Sequence, residues 1–154
     1  MNIFLVLTIS VTSTVDLGVS GLATIESDEA TLDIARNQTQ WTGDVVIRQA
    51  QYELRADRVI LTHDENGKAI RVEAIGNPVV ATGPFEGQLA EAQGRVVLYE
   101  RDLQQVSISG DSKLKLPKNS VSAENIVYNF IQKKILATGT KRKHTKLQLY
   151  PDDA

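Results

Sequence analysis

His63 and His144 are the only histidines in the chain, and there is no cysteine. Transition-metal sites draw on several His nitrogens and Cys thiolates at short spacing, and neither histidine has such a neighbour. Without cysteine there is no disulfide, no thiol nucleophile and no thiolate zinc site. His63-Asp64-Glu65 could hold a cation weakly, but beside Asn66-Gly67 it reads as a solvated turn. Asp28, Glu29, Asp57 and Glu124 recur at the same place in a repeated pattern, so they read as repeat features rather than an acid–base pair. No nucleophile–base motif and no phosphate-cradling glycine loop occurs, so neither catalysis nor a cofactor is expected. The basic run Lys141-Arg142-Lys143-His144-Thr145-Lys146 is either a solvated strand end or a contact for an anion or a partner. It has no interleaved aromatics, which argues against nucleic acid. Trp41, Tyr128 and Phe130 read as core and rim packing rather than a stacking platform.

Little here performs a reaction, so the weight falls on the scaffold. The 154 residues suit one domain, and 42% hydrophobic with 23% charged residues describes a folded chain. Only 5% are aromatic, so Val, Ile and Leu must fill the core. Charge is polarised along the chain. Residues 24–110 carry 8 Lys and Arg against 14 Asp and Glu, whereas residues 111–146 carry 9 against 2.

The apolar run Ile3 to Ile9, continued by Val11 and Val15, is shorter than the roughly 18 to 20 residues that span a bilayer. With Gly21 and Ala23 at the −3 and −1 positions, residues 1–23 read as a secretory signal, against the alternative of a first β-strand. The n-region has no Lys or Arg, and Asp16 is unusual so near a cleavage site. The expected organisation is a signal over 1–23, one domain over 24–150 and a tail over 151–154.

Four segments repeat a small or polar residue, usually an acid, and then alternating apolar positions: 27–32, 56–61, 93–98 and 123–128. A glycine follows each, at Gly43, Gly76, Gly110 and Gly139, between 15 and 19 residues after Asp28, Asp57, Gly94 and Glu124 respectively. A recurring unit of this size indicates a stacked architecture. The apolar period is two, so the elements are strands, and no stretch sustains a 3.6-residue period. Asn66-Gly67 marks a hairpin turn. The expectation is an all-β chain of stacked antiparallel hairpins, its long strands bent at the glycines into two facing layers, as in a jelly roll or a solenoid. Period two places Val45, Ile47, Val59, Leu61, Val72, Val96, Leu98, Val106, Ile108, Ile126 and Tyr128 inward, and Arg48, Arg58, Arg71 and Arg95 outward. An unclosed stack leaves unpaired edges around Ile25 to Ile34 and around Thr145 to Tyr150. Ile25, Leu32 and Ile34 at one end, with Thr145, Leu147 and Leu149 at the other, are the candidate contacts for strand addition.

Ile25-Glu26-Ser27-Asp28-Glu29-Ala30, Trp41-Thr42-Gly43-Asp44-Val45-Val46-Ile47, Ala56-Asp57-Arg58-Val59 and Gly76-Asn77-Pro78, in that order, resemble the LptA/OstA family. Its members are periplasmic lipopolysaccharide-transport proteins of Gram-negative bacteria, and the likeness runs from about Ile25 to Tyr150. The resemblance implies a β-jellyroll open at both ends, with an inner groove that shields the acyl chains of lipid A. It also implies head-to-tail stacking with other copies and with inner- and outer-membrane partners that share the fold. On this reading the groove takes in the inward residues above together with Ile25, Leu32 and His63, the last standing where family members can carry a basic residue. Neither a barrel nor a spanning helix is seen, which fits the free periplasmic carrier. Two other readings compete: a β-repeat scaffold with no lipid ligand, and a polysaccharide enzyme, which would need an acid cluster or calcium site on one surface.

Overall fold

The computed structural model describes residues 23–149. The predicted signal segment, apart from Ala23, lies outside the described residues, as do Tyr150 and the tail. Ten strands are described: β1 Ala23–Glu26, β2 Glu29–Asp33, β3 Gln38–Gln49, β4 Tyr52–His63, β5 Ala69–Phe85, β6 Gln88–Glu100, β7 Gln105–Lys115, β8 Asn119–Asn129, β9 Lys134–Thr138 and β10 Lys146–Leu149. They form one antiparallel sheet in the order β1-β3-β4-β5-β6-β7-β8-β10, with β2 also on β3 and β9 also on β8. Among the described residues the sheet does not close, and the fold is an all-β jellyroll.

The long strands break at a common level. The register shifts between Thr42 and Val45, Arg55 and Arg58, Ile75 and Val79, Gln93 and Val96, and Ser109 and Ser112. In β3 the break is made by Gly43 and Asp44 at φ 85° and 44°, and in β7 by Gly110 and Asp111 at 79° and 50°. Two successive left-handed residues kink a strand, and a glycine takes the first without strain. Pro78 lacks an N–H, and it is tolerated in a central strand because it falls within the unpaired break of β5. Beyond the breaks the sheet folds back on itself. Phe85, at the end of β5, meets Tyr128 of β8 with ring centroids 4.8 Å apart, although the two are distant in the ladder. Tyr128 in turn packs edge-on to Phe130, and Phe130 to Tyr99.

Between the breaks and the strand ends the rungs run straight across. Ala30, Trp41, Val59, Ala74, Val97, Ile108, Ile126 and Ala137 are successive partners at one level. On the other side of the breaks Ile25, Ile47, Leu54, Ala81, Ala92, Leu114, Val121 and Leu147 make a second such rung. Both lie on the inner face. The buried side chains fall into two clusters, one around Trp41, Val45, Val59 and Val79 and one around Ala90, Ile108, Ala123 and Ile126, with Val97 packed against both.

Two expectations need correction here. Val96 and Leu98 lie on the outer face: Val96 is level with Arg58 and Ile75, and Leu98 with Ile60 and Glu73. Their neighbours Val97 and Tyr99 take the inner positions. The stretch Val96-Val97-Leu98-Tyr99 is apolar at both parities, and Arg95, taken as the outward marker, sits in the break between Gln93 and Val96, where it covers Gly110. Residues in a bulge do not set the alternation beyond it. The C-terminal edge is also longer than expected, because β9 forms half of it alongside β10. At the hairpin, five residues join β4 to β5, and of Asn66 and Gly67 only Gly67 is left-handed.

Candidate functional site

The face that could receive a ligand is built from the rungs. Ile25, Val45, Val59, Leu61, Ile108 and Ile126 are buried there, and Ile47, Val72, Val106 and Tyr128 are half-buried. Leu32 shares a rung with Thr39 and Leu61 but stands at the sheet edge and is exposed. The structure therefore gathers these residues on one surface. Sequence reasoning missed Val97, Tyr99 and Leu54; for Tyr99 the usable signal was Glu100, whose outward side chain shares the parity of Leu98. Arg48, Arg58, Arg71 and Arg95 are exposed on the other surface. There Arg48 bridges Glu26 and Glu53 at 3.7 and 3.2 Å, and Arg71 meets Glu73 at 3.2 Å.

His63 ends β4 half-buried, with Nδ1 3.0 Å from the carbonyl oxygen of Asp64. The Asp64 carboxylate caps the loop by accepting the N–H groups of Asn66 and Lys68, each at 2.9 Å, and it takes Arg101 Nη1 at 2.8 Å. The Arg101 hydrogen bond, supported by the loop amides, holds the Asp64 carboxyl below its ordinary range. This mouth of the fold is a satisfied ionic corner. Among the described residues no group of three or more His, Cys, Asp or Glu comes together to hold a metal ion. Tyr128 donates its hydroxyl to Glu86 at 2.7 Å; burial and that carboxylate push the phenol up to about 12.

The basic run fills the connection from β9 and ends at Lys146, the first residue of β10. Its Lys143 pairs with Asp111, which Arg95 also approaches, and the Lys143 ammonium holds the Asp111 carboxyl below its ordinary range. Lys141, Arg142 and Lys146 are exposed. At the two sheet edges the candidate contacts differ. Ile25 in β1 is 8% exposed, whereas Leu147 and Leu149 in β10 are 60% and 68% exposed. Ile34 lies in the turn after β2 and Thr145 just before β10, both exposed. Ile135 and Leu136 of β9, which the sequence reading passed over, are exposed as well.

Comparison with known proteins gives this arrangement a family. Residues 24–134 match the family described as LptA/(LptD N-terminal domain) LPS transport protein. The chain belongs to this family. The lipopolysaccharide export system protein LptA of Haemophilus influenzae is 25% identical over 130 residues, covering 82% of this chain and 76% of that protein. The protein of the same name from Escherichia coli K12 is 27% identical over 130 residues, covering 82% and 70%. The crystal structure of LptH, described as the LptA homologous periplasmic component of the lipopolysaccharide transport device of Pseudomonas aeruginosa, gives a TM-score of 0.74. It covers 89% of this chain and 99% of that chain at 21% identity, a likeness of fold. The family description embraces both LptA and the N-terminal domain of LptD.

Proposed function

We propose that this chain carries lipopolysaccharide through the periplasm, sheltering the acyl chains of lipid A between its two layers and catalysing no reaction. Like-folded inner- and outer-membrane proteins, and further copies of itself, are its partners. The observation that carries this reading is the continuity of the rungs. Apolar inner positions run from one unpaired edge to the other, so a path begun in one copy continues into the next. The need for such a path is large: an acyl chain of about a dozen carbons costs roughly 10 kcal/mol in water, at about 0.8 kcal/mol per CH₂. The interior is filled by side chains, and lipid enters by parting the layers along the open edges.

The register supports one way for copies to join. β9 and β2 lie at the same level of the sheet, as do β10 and β1, and they run in opposite directions. Adding the N-terminal edge of one copy to the C-terminal edge of another as antiparallel strands sets Ile25 beside Leu147 and Leu32 beside Ile135. On the outer face it sets Asp33 beside Lys134 and Glu26 beside Lys146. Opposite charges then face each other across the joint, and like ends repel.

A photo-crosslinking residue at Leu61 is expected to capture lipid A, and one at Arg58, on the outer face, to capture none. Equal capture at both, or none at Leu61, rejects the inner path and favours a scaffold with a packed, ligand-free core.

A further inference from the structure

Trp41 is the largest fully buried side chain, 2% exposed, yet its indole Nε1–H has no hydrogen-bond partner among the described residues. Buried polar atoms are nearly always paired, and a buried indole N–H usually finds an acceptor. The rung explains the exception. Ala30 and Val59 lie directly beside Trp41, with Ala74 next, and none of their side chains offers an acceptor. Phenylalanine would fill the same level without burying a donor. Thr39, two residues earlier on the same face, is also buried, which places a second polar side chain at this part of the interior.

We propose that Trp41 is a specificity residue for the lipid: its Nε1–H donates to an oxygen near the root of an acyl chain. The acceptor is an ester or amide carbonyl, or a hydroxyl on the chain. This rests on the reading that an acylated lipid enters between the layers. Methylene groups have nothing to offer an indole N–H, so the oxygens at the linkage or on the chain are the atoms that can reach it among apolar side chains. Trp41 stands one rung from the bend at Gly43 and Asp44. A hydrogen bond there sets how far the chain slides in. It also separates oxygen-bearing lipids from bare hydrocarbon, because a ligand without the acceptor leaves the donor buried and unpaired.

Trp41 is the single tryptophan, so its indole signal stands alone in a spectrum of the ¹⁵N-labelled full chain. Two probes are compared, with uptake of each checked by native mass spectrometry: diphosphoryl lipid A, and dodecyltrimethylammonium, whose chain carries no oxygen. The indole proton is expected to move downfield with lipid A and not with the alkylammonium. Trp41→Phe should bind lipid A about 3- to 10-fold more weakly, the scale of one hydrogen bond. It should keep its affinity for the alkylammonium. Uptake of lipid A without a downfield shift overturns the proposal and leaves the carrier reading standing. Equal weakening toward both probes does the same. If Trp41→Phe does not fold, the shift in the unmodified chain decides alone. Failure of the unmodified chain to take up lipid A at all overturns both readings.

Discussion

Among the described residues the two ends of the sheet both have unpaired backbone and treat it differently. At the N-terminal end, β1 buries Ala23 and Ile25, and Ile25 belongs to a cluster that holds Trp41, Val45, Val59 and Val79, whereas β2 buries no residue. At the C-terminal end, β9 and β10 bury no residue, and Ile135, Leu136, Leu147 and Leu149 stand exposed among lysines. At the first end β1 is part of the core, while at the second both strands are laid over it. An edge held by few buried contacts opens at little cost and can accept a strand, whereas one built into the core supplies a rigid strand to add. Under the proposed head-to-tail assembly, unequal burial favours the same polarity as charge does.

The largest expected contrast is between the core level and the laid-on edge. Trp41→Ala should lower the free energy of unfolding by about 3–5 kcal/mol, the range for a fully buried aromatic. Leu147→Ala should change it by less than about 0.5 kcal/mol, as a surface site does. Urea denaturation of both reads this directly. A cost for Leu147→Ala near that of the core substitution would show that the C-terminal edge is packed, and the comparison would collapse.

Next in size are the two bend glycines, one in each half. Gly43 and Gly110 both adopt left-handed φ, and a Cβ on Gly43 would stand 2.3 Å from Asp28 Oδ2, whereas on Gly110 it would meet the Arg95 side chain at 2.9 Å or more. Gly43→Ala should cost about 2–3 kcal/mol and Gly110→Ala about 1–2 kcal/mol, since both pay the left-handed penalty and the first also displaces the Asp28 side chain beside β2. Thermal unfolding that ranks them the other way would place the stiffer bend in the C-terminal half.

What the sequence made legible divides along the same breaks. The all-β class, the hairpins and most inward residues follow from a period of two, which holds within each straight segment of strand. It fails across a break. In β4, β5, β6 and β8 the inward parity changes there, as from Ala56 to Val59 or from Ala92 to Val97, while in β3 and β7 the two left-handed residues keep it. Nothing in the residue types states which of these occurs, so the apolar stretch in β6 was open to the wrong face. Trp41 was read correctly as core packing, but its unpaired N–H was not legible, because whether an acceptor lies near depends on the whole rung.

A smaller effect is expected at the joint between copies. Lys134→Glu alone and Asp33→Lys alone should each weaken concentration-dependent oligomers, and the double variant should regain them. A directly opposed pair contributes about 0.2–1 kcal/mol. Asp33 also meets Arg36 of its own chain at 3.8 Å, which reduces the single-variant effect further. Sedimentation velocity across protein concentrations distinguishes rescue from simple loss. Strict monomers for the unmodified chain would remove head-to-tail assembly altogether.

The smallest effects come from two polar links that respond to pH in opposite senses, one joining the β4–β5 turn to the β6–β7 turn and the other joining the β5–β6 turn to β8. Asp64 is held below its ordinary value of 3.8, chiefly by the Arg101 hydrogen bond, so its carboxylate favours the folded state above that value. That contribution is lost as pH falls through the lower, folded value. Tyr128 is raised from 10 to about 12, so its neutral phenol favours the folded state below pH 10, and the contribution is lost as pH rises toward 12. Asp64→Asn should therefore lower the urea midpoint at pH 7, with the gap to the unmodified chain closing at pH values well below 3.8. Tyr128→Phe should remove part of the decline in midpoint that the unmodified chain shows between pH 10 and 12. Both sites face solvent in part, which keeps the shifts small. The two turns belong to different hairpins, β4–β5 and β5–β6, so a variant at one should leave the pH response at the other unchanged. If Asp64→Asn also altered the alkaline limb, the two corners would move as one unit, and the division of the molecule into a core end and a laid-on end would fail at its middle hairpins.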